Sequence, residues 1–169
     1  YARVRPLFED LRYNLVVDSI IDGNTPAWVY VDNVDAPQVA WMWDLQDAML
    51  VAGSPAHAPT RRALAELIAD KVISDAKARH IPVLSLHYDL PAWADHIHDI
   101  LPGLKPEKAK RRYYTFVEPT VDWRVKVPEA CEIRRLDQAL LARTDLQYMA
   151  HVAGWVHSFW HTEADFLNT

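Results

Sequence analysis

Three short apolar segments, Ala27–Asp32, Val39–Trp43 and Ala48–Ala52, follow one another with only a few residues between them. Asp32 to Pro37 carries turn chemistry, and Asp44 to Asp47 is a tight connection. A parallel return needs a crossover of about a dozen residues or more, so connections this short dictate an antiparallel meander. A meander of this kind buries one face or both against helices, and the flanking sequence supplies them. Leu7, Phe8, Leu11, Leu15 and Ile20 recur at helical spacing, with Pro6 in a first turn and Gly23 just past the end, which predicts a helix over 6–21. Thr60 is placed to cap a helix running to about Ala78, with Leu64, Leu67, Ile68, Val72 and Ala76 on one face.

Further along, Ile81 to His87 reads as a strand. Pro91 opens a helix through Trp93, Ala94, Ile97 and Leu101, which Pro102-Gly103 ends, and Arg112 to Val117 reads as one more strand. The resulting class is α/β, with a mixed, largely antiparallel sheet flanked by helices. Glu118 to Pro128, holding Pro119 and Pro128, reads as a linker. Glu132 to Leu136 is expected to be a strand, Asp137 caps a short helix, and Thr144-x-x-Gln147 is a capping box for a helix over 145–160. One strand and two helices cannot enclose a core. The expected organisation is therefore a unit over 1–118, a linker over 119–130, and the incomplete start of a second unit over 131–169. The opening on Tyr1 and the stop at Asn168-Thr169 fit a segment of a longer protein.

Composition narrows the function classes. The chain has 169 residues, of which 7 are Trp, 7 Tyr and 4 Phe, too much buriable area for a disordered chain. The longest apolar run is five residues, far below the ~18 that span a bilayer, so no membrane partner is expected. A lone cysteine, Cys131, forms no intramolecular disulfide and fits a reducing, cytoplasmic setting. It reads as a small buried residue at the start of a strand rather than a nucleophile. A net charge of −5 argues against a general nucleic-acid binder, and no nucleic-acid partner is expected.

Several polar constellations invite a chemical reading. His157 and His161 stand at i, i+4, but Ser158 occupies the position where a zincin carries its Glu, so they read as helix-end polar groups. Asp95-His96-x-His98-Asp99 holds two histidines that point in different directions on a helix, and no metal site is expected. A His-based metal hydrolase is the third-ranked reading. His87-Tyr88-Asp89 sits at a strand-to-helix junction, where α/β folds often place reactive groups, yet no nucleophile motif accompanies it. Lys105, Lys108, Lys110, Arg111 and Arg112 precede Tyr113, Tyr114 and Phe116. A solvated loop explains these charges, and phosphate or coenzyme contact is the functional alternative.

The helix over 145–160 is apolar on two sides. Leu146, Met149, Ala153, Val156 and Trp160 share one face, while Tyr148, Val152, Trp155 and Phe159 form a second stripe. Either the first unit covers that second stripe, or it lines a substrate cleft or a partner surface.

The strand–strand–strand–helix–strand–helix–strand order is that of the GNAT acetyltransferase core. Asp22-Gly23-Asn24-Thr25-Pro26-Ala27-Trp28-Val29-Tyr30-Val31-Asp32, Ala40-Trp41-Met42-Trp43-Asp44 and the Trp155 to Leu167 stretch resemble a GNAT group that includes zwittermicin-resistance-type proteins. The resemblance implies a GNAT-like amino-terminal domain followed by the truncated start of a second GNAT domain. It also implies acetyl-CoA as co-substrate and a small-molecule amine as acceptor. On that footing the helices over 137–160 border the amine cleft, and His151, Trp155 and Phe159 are the substrate-binding candidates. GNAT enzymes cradle the coenzyme pyrophosphate on an Arg/Gln-x-x-Gly-x-Gly/Ala loop at a helix N-terminus, where backbone N–H groups approach the phosphates. None of the four glycines lies in that pattern, and Pro55 and Pro59 of the corresponding loop lack N–H donors. The chain is accordingly expected to contain no coenzyme-binding residues, with the cradle in a second domain continuing past Thr169, and the pattern assigns no general base or acid. The alternative function is a non-catalytic ligand-binding or protein-interaction module.

Overall fold

A computed structural model describes residues 1–88 and 91–168. Its centre is a four-stranded sheet in the order β1-β2-β3-β4, with β1 Trp28–Val31, β2 Val39–Trp43, β3 Ala48–Gly53 and β4 Ser85–Tyr88. The first three strands form the expected antiparallel meander, in a register that sets Trp28 opposite Trp43 and Tyr30 opposite Trp41. β4 returns parallel to β3 with Ala48 opposite Ser85, a geometry that the intervening helical crossover makes possible.

Alternation along the central strands divides the core in two. Val39, Trp41, Trp43, Met49 and Val51 point to one face, where they meet Leu64, Ile68, Val72, Ala76, Trp93, Ile97 and Ile100. Ala40, Met42, Leu50 and Ala52 point to the other, against Val4, Phe8, Leu11, Val17, Ile20 and Ile21. β2 is therefore buried on both faces along its whole length. The ring pairs Trp28–Trp43 at 5.2 Å and Tyr30–Trp41 at 5.9 Å are the cross-strand contacts that fix its register with β1.

The first face carries a continuous helical run. Helix α1, Val16–Ile21, lies on the other face, and here α2 Ala58–Leu67 passes through a π-helical turn, Ile68–Val72, into α3 Ile73–Ala78. The expected apolar face is the buried one. The start differs, because His57 is the N-cap, Pro59 sits in the first turn, and Thr60 is one turn inside with its hydroxyl 2.9 Å from His57 Nδ1. Pro59 is tolerated there because a first-turn N–H has no helical partner to lose.

The second face differs more. In place of one helix over 6–21 there is a 3-10 helix, Ala2–Leu11, and a separate α1, Val16–Ile21. Arg5 ties the two pieces together by ion pairs to Asp18 and Asp22. Gly23 ends α1 at φ +81, with its N–H on the Ile20 carbonyl, as its place past the helix end requires.

Other expectations fail for one reason: a strand or long helix needs a partner surface. Of the segment Ile81 to His87, only Ser85 onward enters the ladder. From Pro91 the chain makes turns before a one-turn α4, Ile97–Ile100, although Trp93, Ile97 and Leu101 are buried. Arg112 to Val117 and Glu132 to Leu136 form no strand. Cys131, expected buried, is exposed. The carboxyl-terminal third holds α5 Gln138–Leu141, α6 Met149–Phe159 and α7 Glu163–Asn168. Asp137 caps α5 by accepting from Leu140 N at 2.8 Å, as predicted. Thr144 does not cap α6. Its N-cap is Tyr148, in the left-handed region at φ +67, so the helix starts four residues later than the capping-box pattern implies.

Among the described residues, no helix is long and apolar enough to cross a membrane.

Candidate functional site

Two places in this fold have the geometry of a site, and they differ in what remains free. The first is the β3–α2 junction, where an α/β fold of this order presents a helix N-terminus to an anion. Here the junction is occupied by the protein itself. The Gly53 carbonyl accepts from the fully buried Trp93 Nε1 at 2.9 Å, and Ser54 N donates to Gln38 O at 2.9 Å. Arg61, in the first turn of α2, donates to the Pro55 carbonyl and through Nε to Asp99 Oδ2 at 2.8 Å. His96 Nδ1 lies 3.1 Å from the same Asp99 oxygen, and these two partners hold the Asp99 carboxyl below the usual carboxylate range. With Pro55 and Pro59 contributing no N–H, the junction does not fit a pyrophosphate.

The second place is built on α6. Val156 faces inward and is 1% exposed, and the helix end is held to the sheet region by two bonds. Gln46 Nε2, from the β2–β3 turn, donates to Ser158 O at 3.3 Å, and His161 N donates to Asn24 O at 3.1 Å. The turn presenting Gln46 is itself tightly bonded. Asp44 Oδ1 accepts from Gln46 N at 2.9 Å and Ala48 N at 3.0 Å, and Trp43 Nε1 donates to Gln46 O at 3.0 Å. Asp44 is 2% exposed, and desolvation pushes its carboxyl up to about 6 despite the two backbone donors, with Asp47 adding to the rise.

On the outer side of α6 the rings of Trp155, Phe159, Trp160 and Phe166 form one cluster. Trp155 lies 5.0 Å from Trp160 and 6.1 Å from Phe166, and Trp160 lies 5.0 Å from Phe166, all steeply inclined edge to face. Trp155 and Phe159 are 5.8 Å apart. Such edge-to-face packing satisfies the ring quadrupoles. Beside the cluster is an open depression of ≈ 450 Å³, lined by Arg135, Leu136, Trp155, Trp160, Phe166 and Leu167. Arg135 Nη2 donates to Leu167 O at 3.3 Å and closes one side. Trp160 Nε1 is buried with no hydrogen-bond partner among the described residues.

Of the three candidates, Trp155 lines the depression and is 46% exposed, and Phe159 packs behind it. His151 is exposed one turn before Trp155 and is not part of the lining. The body of the protein does not cover the second stripe, since Tyr148 is 72% exposed along with Trp155. Phe166 of α7 reaches the cluster instead. Helical periodicity assigns Trp160 to the opposite stripe. Trp160 has left the helix, at φ −127 and ψ 150, and so joins the Trp155 side. Arg135 and Leu136 are legible in the sequence only as part of an expected strand, and Phe166 and Leu167 only as apolar residues of the closing stretch.

The remaining histidines stay apart. His157 Nε2 is 4.0 Å from Glu163 Oε1, and His98 is exposed. Among the described residues, no three His, Cys, Asp or Glu side chains gather as a metal-holding group. His87 is half-buried on β4; desolvation, then nearby Arg111, lower its pKa, with Asp47 opposing. Asp89 lies outside the described residues, so the His87-Tyr88-Asp89 grouping is described only in its first two members. No family profile, curated protein or solved structure matches the chain.

Proposed function

We propose that this chain is the amino-terminal part of a GNAT-like N-acetyltransferase, acting on a small-molecule amine, with the coenzyme held by residues outside 1–169. One observation carries the reading: three antiparallel strands are followed by a helical crossover to a parallel fourth strand, the first five elements of the order that the sequence resemblance implies. The self-occupied β3–α2 junction supports a coenzyme site elsewhere, because Arg61 and the Gly53 carbonyl are already committed. The depression beside Trp155 serves as the amine side. A ring face this exposed attracts an ammonium group by about 0.5–1 kcal/mol, and the neighbouring rings shelter an apolar substituent.

A second reading, a non-catalytic ligand-binding or interaction module, is favoured by the same half-exposed Trp155, since rings in such a depression bind ligand without any chemistry. Isothermal titration separates the two. The 169-residue chain is expected to give no heat with acetyl-CoA, and a version extended into the following reading frame is expected to bind it and acetylate amines. Micromolar acetyl-CoA binding by the 169-residue chain overturns the assignment of the cradle elsewhere. Ligand binding at Trp155 without acetyl transfer by the extended chain selects the second reading.

A further inference from the structure

We infer that residues 105–126 form a binding arm for single-stranded nucleic acid. The stretch holds seven lysines and arginines against three carboxylates, in a chain whose net charge is −5. Every residue from 105 to 126 is exposed, and 104–117 enters neither helix nor ladder. Outside the arm seven of the eleven lysines and arginines are paired to carboxylates. Among the described residues, Lys105, Lys108, Lys110, Arg111 and Arg112 have no such partner. Whole-chain charge therefore hides a local basic surface, and charge farther off than about 10 Å is screened in ordinary salt.

The rings decide what kind of polyanion fits. Tyr114 is 84% and Phe116 78% exposed, large apolar faces open to a flat ligand. They follow Lys108, Lys110 and Arg112 at alternate positions, which an extended chain places on one side. Cations tracking a backbone beside flat rings for bases are the two components of single-strand binding. At the far end, Trp123 carries Arg124 over its ring at 4.7 Å, beside a depression of ≈ 310 Å³ lined by Pro119 to Arg124. An unpaired base can stack there.

The test is fluorescence anisotropy with a labelled 12-mer oligouridylate. With about five phosphates neutralised, log affinity falls against log salt with a slope of about −3.5, about 100-fold between 50 and 200 mM salt. Lys108→Gln/Lys110→Gln/Arg112→Gln is expected to cut that slope to about −1.4. Tyr114→Ala/Phe116→Ala is expected to weaken binding about tenfold or more with the slope unchanged. These residues are exposed, so the variants fold as the wild type does. Four results overturn the inference: no binding at 20 mM salt, equal affinity for oligoglutamate of matched charge, equal affinity for a duplex, or stoichiometric displacement by micromolar coenzyme A. Equal oligoglutamate affinity points to an acidic protein partner, and displacement by coenzyme A to a mononucleotide site.

Discussion

Replacing Asp44 by asparagine isolates the energetic cost of the buried carboxylate in the β2–β3 turn. The carboxyl ordinarily titrates at 3.8 and is raised to about 6 in the fold, chiefly because it is desolvated. A rise of about two units corresponds to about 3 kcal/mol. The native protein binds this proton more tightly than the unfolded chain. The group's contribution to stability is therefore complete below about pH 4 and is lost as pH rises through 6. An asparagine side chain at this position keeps an oxygen for Gln46 N and Ala48 N without the charge. Asp44→Asn is thus expected to be about 1–3 kcal/mol more stable than wild type at pH 7.5 and equal to it near pH 4. Carboxylates with depressed pKa, such as Asp99 and Asp145, slope the other way, but they are common to both proteins and cancel in the difference. Asp44→Ala at pH 4, where the wild-type group is neutral, loses both backbone bonds and is expected to cost about 1–3 kcal/mol. Urea unfolding followed by tryptophan fluorescence from pH 4 to 8 measures all three. A constant difference between Asp44→Asn and wild type across that range refutes the reasoning.

Three further outcomes follow from the packing. Gly53 sits at φ +90, and an added Cβ would stand 2.1 Å from the Gln38 carbonyl oxygen, whereas Gly23, at φ +81, has open space. Gly53→Ala is expected to cost about 3 kcal/mol or more and Gly23→Ala about 1, and equal midpoints in urea would contradict the close approach of Gly53 to β2. Trp93→Phe removes the donor to the Gly53 carbonyl from a fully buried site and is expected to cost about 2 kcal/mol by the same assay. Gln46→Ala frees the end of α6, so amide exchange should quicken across Met149–Phe159 while β2 and β3 keep their protection. Uniform quickening over the whole sheet would show that this bond is not a local tether.

The aromatic depression is half legible in the sequence. Trp155 and Phe159 stand out because a helix apolar on two sides either buries its second stripe or presents it to a ligand or partner. Trp160 is misassigned by pattern because its backbone leaves the helix, which periodicity at a fixed 100° per residue cannot register. Arg135 comes from a segment that local pattern reads as a strand and Phe166 from the closing stretch, and their meeting depends on where α7 and the stretch before α5 lie in space.

Connection length and alternation determined the meander, its antiparallel sense and the division of β2 and β3 into two core faces, because these follow from backbone reach and side-chain parity alone. Helical spacing likewise determined the buried face of α2 and α3. Tertiary structure decided whether Arg112–Val117 and Glu132–Leu136 became strands, since a strand's hydrogen bonds are made with a neighbour and sequence pattern supplies only half of the pair. It also decided which charges remained free. Among the described residues eight arginines found carboxylates and the cations from 105 to 112 did not, a distinction that exists only once the distances between side chains are set.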